Sequence, residues 1–151
     1  VGIGAVKFAL LKVTATKNIV FDPKEAVDLN GDTGSFIQYT YVRTKSLLSR
    51  WEGELNSQMA AELAAEEEDL IIHLSSFKSC LLRCAEALDP AELALFTLNL
   101  AKIYNRFYTQ LSVLKEENIE KRNFRVYLTN LTNQALSKSL TILGVTLPEK
   151  M

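Results

Sequence analysis

Asn30-Gly31-Asp32-Thr33-Gly34-Ser35-Phe36-Ile37-Gln38-Tyr39-Thr40-Tyr41-Val42-Arg43 begins as a turn and becomes a helix within its own length. Asn30-Gly31 is a turn dipeptide. Thr33 supplies a hydroxyl able to cap the first free N–H groups of a helix, and beyond it the signals are wholly helical. Phe36, Tyr39 and Arg43 fall at i, i+3 and i+7 and share one stripe; Ile37, Tyr41, Thr44 and Leu48 form a neighbouring stripe. The first stripe has two readings. Aromatics at helical spacing pack into a core and leave an arginine solvated. Two aromatic planes and a guanidinium on one face also make a platform for unpaired bases. Spacing alone favours the core.

Working outward, the first long helix is predicted over 33–51, followed by a polar linker at 52–57. A second helix is predicted over 58–77, carrying the acidic run Glu66-Glu67-Glu68-Asp69 and an apolar face of Leu70, Ile71, Leu74 and Phe77. The pattern continues through Leu81, Leu82 and Ala85 to Leu88, with a break near Ser75-Ser76. Asp89-Pro90-Ala91-Glu92 reads as a helix start, with Asp as cap and Pro first. The helix it opens is predicted to reach Glu116, with Leu93, Phe96, Leu100, Ile103, Phe107, Leu111 and Leu114 as its buried face. A last helix is predicted from Ile119 to Leu143, stopped by Gly144 at the C′ position. Ahead of the turn, residues 2–11 read as a short helix, Ile19-Val20-Phe21 as a run able to be extended, and Asp22-Pro23 as the start of another short helix. The expected fold is therefore an all-α bundle of four to five helices with a small N-terminal appendage.

Composition is that of an ordinary globular chain: 151 residues, 48% hydrophobic and 23% charged, enough to bury a core. No run approaches the roughly 18 apolar residues that suggest a membrane-crossing helix. Cys80 and Cys84 lie four apart on a helical pattern and read as buried small residues; with His73 they fall short of four zinc ligands, so no metal site is expected. Free cysteines suit a reducing compartment. Net charge is −1, which argues against indiscriminate binding to polyanions, but its distribution is uneven. Residues 1–51 carry seven basic and four acidic side chains, 52–92 two and ten, and 93–151 eight and four. A polyanion would meet the first and last thirds while the middle faces away. The acidic run also suits the positive end of a helix.

Five segments, in order and from one end of the chain to the other, resemble arginyl-tRNA synthetase downstream of its ATP-site loop. They are Gly2-Ile3-Gly4-Ala5-Val6-Lys7-Phe8, Val20-Phe21-Asp22, Gly31 to Arg43, Leu100-Ala101-Lys102-Ile103-Tyr104-Asn105-Arg106-Phe107-Tyr108, and Leu143-Gly144-Val145-Thr146-Leu147-Pro148-Glu149-Lys150-Met151. The third is similar to the family's GNTGPYLQYAYAR, with Asp32 for the common Asn and Phe36 for a Tyr, losing a hydroxyl. Lys12-Val13-Thr14 and Pro23 also depart from the family pattern.

The resemblance implies an α-helical, DALR-type anticodon-binding domain over 31–151, preceded at 1–30 by the end of the catalytic region. It implies a parent enzyme that joins arginine to its tRNA using ATP and Mg2+. The family's His-x-Gly-His and Lys-Met-Ser-Lys signatures are absent, so this chain is expected to hold no catalytic residue and no cofactor. By resemblance, tRNA contacts fall to Phe36, Tyr39, Arg43, Tyr104, Tyr108 and Met151. Lys121, Arg122 and Arg125 are candidate phosphate contacts, with solvated surface charge as the equal alternative. The expected partner is a tRNA with an arginine anticodon, met by a monomer in the cytoplasm. The competing expectation is a non-catalytic scaffold that takes a protein partner in an apolar groove along residues 70–85.

Overall fold

The computed structural model describes residues 1–60 and 62–151. Its helices are α1 (Gly2–Leu11), α2 (Pro23–Ala26), α3 (Gly34–Leu48), α4 (Ala65–Ser75), α5 (Phe77–Ala87), α6 (Ala91–Gln110) and α7 (Ile119–Ile142), with no strand among the described residues. The expected all-α bundle is present. Helices α3, α4 with α5, α6 and α7 form its body, and α1 and α2 are the appendage. The apolar run 19–21 forms no strand, and Val20 is fully exposed.

Local chemistry accounts for the boundaries. Thr33 caps α3, its Oγ1 accepting the Phe36 N–H at 3.1 Å. Asp22 caps α2, with Pro23 at the first position. Asp89 works one residue further from its helix than expected: Pro90 is the N-cap of α6, and the Asp89 carboxylate accepts the Ala91 N–H at 2.9 Å. Gly144 follows α7 with φ +66°, a conformation a side chain would strain. Helix α4 opens at Ala65 rather than near residue 58, so its acidic residues occupy the first turn, where the helix dipole favours them.

Helix α6 runs through the middle, flanked by α3, α4, α5 and α7. Leu93, Leu100 and Phe107 are buried as the spacing predicts. Burial is centred further round the helix than that stripe, however: Thr97 and Tyr104 are completely buried, whereas Ile103 is half-exposed. Ile37 and Leu47 from α3, Leu70 from α4, and Leu128, Leu136 and Leu140 from α7 complete the interior. Helix α1 plugs in through Phe8, which is fully buried. That contact needs Gly34: a Cβ there would lie 2.8 Å from the Phe8 Cβ and 2.9 Å from the Gly4 carbonyl.

A buried ion cluster joins α4 to α7. Arg125 donates from Nε to Glu67 at 2.7 Å and from Nη1 to Glu116 at 2.6 Å and the Ser112 carbonyl at 2.8 Å. The Glu67 side chain is 0% exposed and that of Arg125 is 7%. The other Glu67 oxygen accepts the Ala64 N–H at 2.7 Å, fixing the start of α4. These bonds explain why α6 stops at Gln110 and not at Glu116. Residues 111–118 leave the helix, starting with an extended Leu111, and wrap the guanidinium of Arg125.

Two outcomes follow. Glu67→Gln leaves the Arg125 charge without its innermost counter-ion and is expected to cost about 3–5 kcal/mol in urea unfolding, whereas Glu67→Leu with Arg125→Met recovers much of the loss. The Asn118 N–H first, and then the Arg125 charge, hold the Glu116 carboxyl below its ordinary range. Its contribution to stability is therefore present above the unfolded-state value near pH 4.3 and is lost as pH falls through the lower folded value. In an acid titration of stability, Glu116→Gln should flatten that loss.

Candidate nucleic-acid interface

Tyr39 and Arg43 lie one turn apart on α3, and Asn105 and Tyr108 lie one turn apart on α6, so the meeting of the two helices gathers four side chains. The guanidinium of Arg43 sits between two rings: its Cζ is 4.8 Å from the Tyr39 centroid and 4.8 Å from the Tyr108 centroid. Nη2 donates to the Tyr39 hydroxyl at 2.9 Å, and Nη1 donates to Asn105 Oδ1. Asn105 in turn donates from Nδ2 to Thr40 Oγ1 at 2.6 Å and to the Ala101 carbonyl at 2.8 Å. The Thr40 hydroxyl in turn donates to the Phe36 carbonyl at 2.9 Å. The arginine is thus fixed in position while no carboxylate neutralises it among the described residues. Tyr39, Arg43 and Tyr108 are each half-buried, which leaves part of the stack open to solvent.

The structure distributes the remaining candidates unevenly. Phe36 is half-buried at the start of α3 and packs against the core. Met151 is 43% exposed and shares a recess with Val42 and Lys45 on α3 and with Ser49 just after it. The tail leading to it is tied down by Gln38 Nε2, which donates to the Thr146 carbonyl at 2.8 Å, and by Lys7, which donates to the Gly144 carbonyl at 2.7 Å.

Tyr104 corrects the sequence-based expectation. It is completely buried, its ring 6.2 Å from that of Tyr108 and 5.7 Å from that of Phe107. Burial pushes its phenol well above the ordinary tyrosine range. It supports Tyr108 from behind and presents no face to a ligand. Arg125 is likewise internal, for the reason given above, and offers no charge to a phosphate.

Arg122 lies with its Cζ 6.0 Å from the Trp51 centroid and donates to the Glu116 carbonyl at 3.3 Å. Lys121, half-buried near the start of α7, has no carboxylate partner among the described residues. The His73 ring stacks on Phe96 at 4.3 Å, and its Nε2 lies 3.0 Å from the Phe96 carbonyl. Burial pushes the Cys80 thiol up to about 12.

Sequence reading left Asn105 undecided and did not connect it to Arg43. A usable signal was its spacing, since Ala101, Asn105 and Tyr108 share one face of α6.

Residues 37–151 match the DALR anticodon binding domain family. Over its whole length the chain is 40% identical to an arginine–tRNA ligase of Porphyromonas gingivalis and 36% identical to one of Flavobacterium psychrophilum. It spans about a quarter of each of those relatives, 26% and 25% of their lengths. Among solved structures, the arginyl-tRNA synthetase of Thermus thermophilus superposes on 99% of the chain with a TM-score of 0.89 and 30% identity, using 26% of that protein. The Plasmodium falciparum arginyl-tRNA synthetase shares the fold at a TM-score of 0.83 and 23% identity, over 99% of this chain and 27% of that one.

The two neighbouring tyrosines of α6 should behave differently on truncation. Tyr104→Ala removes a buried ring and is expected to cost about 3–5 kcal/mol in urea unfolding. Tyr108→Ala should cost clearly less. Equal losses would contradict the division between interior support and exposed face.

Proposed function

Because the chain belongs to the DALR anticodon binding domain family, we propose that it is the part of an arginine–tRNA ligase that grips the anticodon loop of an arginine tRNA. The observation that carries this reading is the Tyr39–Arg43–Tyr108 stack. Bases of an anticodon loop are unpaired, and proteins read such bases by stacking and by contacts to their edges. Two half-exposed rings held on either side of an un-neutralised guanidinium supply both π faces and positive potential. Each base–ring stack contributes about 1–3 kcal/mol. Phe36 and Met151 extend the apolar surface along α3, and Lys121 and Arg122 are kept as backbone contacts. Tyr104 and Arg125 act from inside as supports.

In this reading arginine activation, ATP and Mg2+ belong to the rest of the ligase. The single histidine cannot supply a His-x-Gly-His signature, and the chain has no Lys-Met-Ser-Lys loop. Residues 31–151 form the anticodon-binding domain and residues 1–30 the connector to the larger body. Supporting this division, α1 buries Phe8 against the bundle while Ile3, Val6 and Leu10 stay 75%, 42% and 50% exposed. We further propose a monomer in the cytoplasm, a reducing setting that suits the two free thiols. The alternative scaffold reading has its groove, a cavity of about 360 Å3 lined by Ile71, Leu74, Phe77 and Leu128. It also requires the contact residues to be buried, and of the six only Tyr104 is.

The test is binding of an arginine tRNA transcript by this chain. Affinity should fall as salt rises, with a logarithmic slope of about 0.7 per single-strand phosphate neutralised. Tyr108→Ala should weaken binding by about fivefold to a hundredfold. An affinity indifferent both to Tyr108→Ala and to replacement of the anticodon bases would contradict the proposal.

A further inference from the structure

Tyr108 has a second neighbourhood. On the side where α3 and α6 end, its ring forms one wall of a groove of about 230 Å3, with Leu47, Leu111 and Val113 as apolar lining and Arg50 and Lys115 as its cations. That is smaller than the roughly 300–1,000 Å3 of sites for drug-sized ligands and suits a single small group. Leu47 and Val113 are buried, whereas Arg50 and Lys115 are exposed and have no carboxylate partner among the described residues. This differs from α6 itself, whose Lys102 and Arg106 are paired with Asp32 and Asp69.

The two walls are tied together just behind the cations. Arg50 donates from Nε to the Ser46 carbonyl at 3.1 Å, which lays its stem along α3. Trp51, the next residue, lies under the guanidinium of Arg122, and Arg122 donates to the carbonyl of Glu116, the residue after Lys115. Trp51 Nε1 and Arg122 Nε are shielded donors with no acceptor behind the groove. The negative carbonyl ends of α3 and α6 arrive at the same place and would repel an anion if left free. They are partly occupied: the Leu47 and Leu48 carbonyls accept from Arg50 and Trp51, and the Phe107 carbonyl accepts from Leu111. What remains is a small apolar trough, rimmed by two unpaired cations, that continues one face of a stacking tyrosine.

We infer that this groove is an RNA backbone subsite, which takes the sugar and phosphodiester adjoining the base stacked on Tyr108, with Arg50 and Lys115 bracketing the phosphate. The inference rests on the RNA-binding reading above and adds a place and two residues to it. An aromatic ring alone fixes the plane of a base but not the direction in which the strand leaves it. A phosphate held beside that ring fixes the direction, which is how backbone contacts set register without reading sequence.

The experiment uses the intact chain and an RNA hairpin reproducing the anticodon arm of an arginine tRNA, titrated at several salt concentrations. Arg50→Ala with Lys115→Ala should weaken binding at least tenfold at low salt and lower the salt slope by about 0.7, the value for the one phosphate they bracket. Arg50→Lys with Lys115→Arg should keep the slope. Lys138→Ala, on the far groove beside Ile71 and Leu74, should change nothing. Both altered residues are exposed, and an unchanged urea midpoint will show that the fold is intact. If the double alanine chain keeps the full slope while Tyr108→Ala still weakens binding, the groove is not a phosphate site and the RNA-binding reading survives. If Lys138→Ala lowers the slope as much, the effect is general charge and the subsite is again overturned. If the unaltered chain does not bind the hairpin, the functional reading fails and the subsite with it.

Discussion

One amide controls the geometry of the interface. Asn105 spends its carbonyl on Arg43 and its two N–H groups on Thr40 and on its own helix at Ala101. Buried polar groups cost about 1–3 kcal/mol when left unpaired, so the α3–α6 junction holds only in a register that satisfies all of these groups together. That register sets the guanidinium between the tyrosine rings. Because the arginine is held by an amide oxygen, a phenol and two π faces, no counter-charge offsets its field. An aspartate in place of Asn105 would cancel the field that an RNA loop would approach, and it would also lose the N–H groups that Thr40 and Ala101 accept.

Charge along the chain divides into three kinds. Some is spent internally: Arg125 with Glu67 and Glu116 is a structural cluster that bends residues 111–118 into place and so shapes the end of α6. Some is paired across elements, as in Lys102 of α6 with Asp32 in the turn ahead of α3, and Arg106 of α6 with Asp69 of α4. Others, Arg43, Arg50, Lys115 and Lys121 among them, have no carboxylate partner among the described residues. A count of basic residues per segment puts Arg125 and Lys115 in the same column. Packing separates them.

Much of the fold was legible because its punctuation is local chemistry. The Thr33 cap, the Asp22-Pro23 and Asp89-Pro90 starts, the Ser75-Ser76 break and Gly144 each mark a boundary within a residue or two. The errors lie where distant residues decide. Helix α6 stops early because Arg125, fourteen residues beyond Leu111, draws the Ser112 carbonyl and Glu116 to itself. Tyr104 is interior because helices surround α6 on several sides, which widens the buried face beyond the stripe of strictly apolar residues. The stacking tyrosines share type and spacing with core aromatics, so sequence alone could not tell Tyr108 from Tyr104. Only the side on which α3 docks does that.

The account is tested most directly by observing the rings themselves. Of the five tyrosines in the chain, site-by-site assignment of their aromatic NMR signals allows each to be followed as anticodon-arm RNA is added. Ring-current shifts should concentrate on Tyr39 and Tyr108, with Tyr104 responding weakly through its neighbour. Binding of the RNA with the Tyr39 and Tyr108 signals unmoved would show that the RNA is met elsewhere and that the stack serves only to hold α3 against α6.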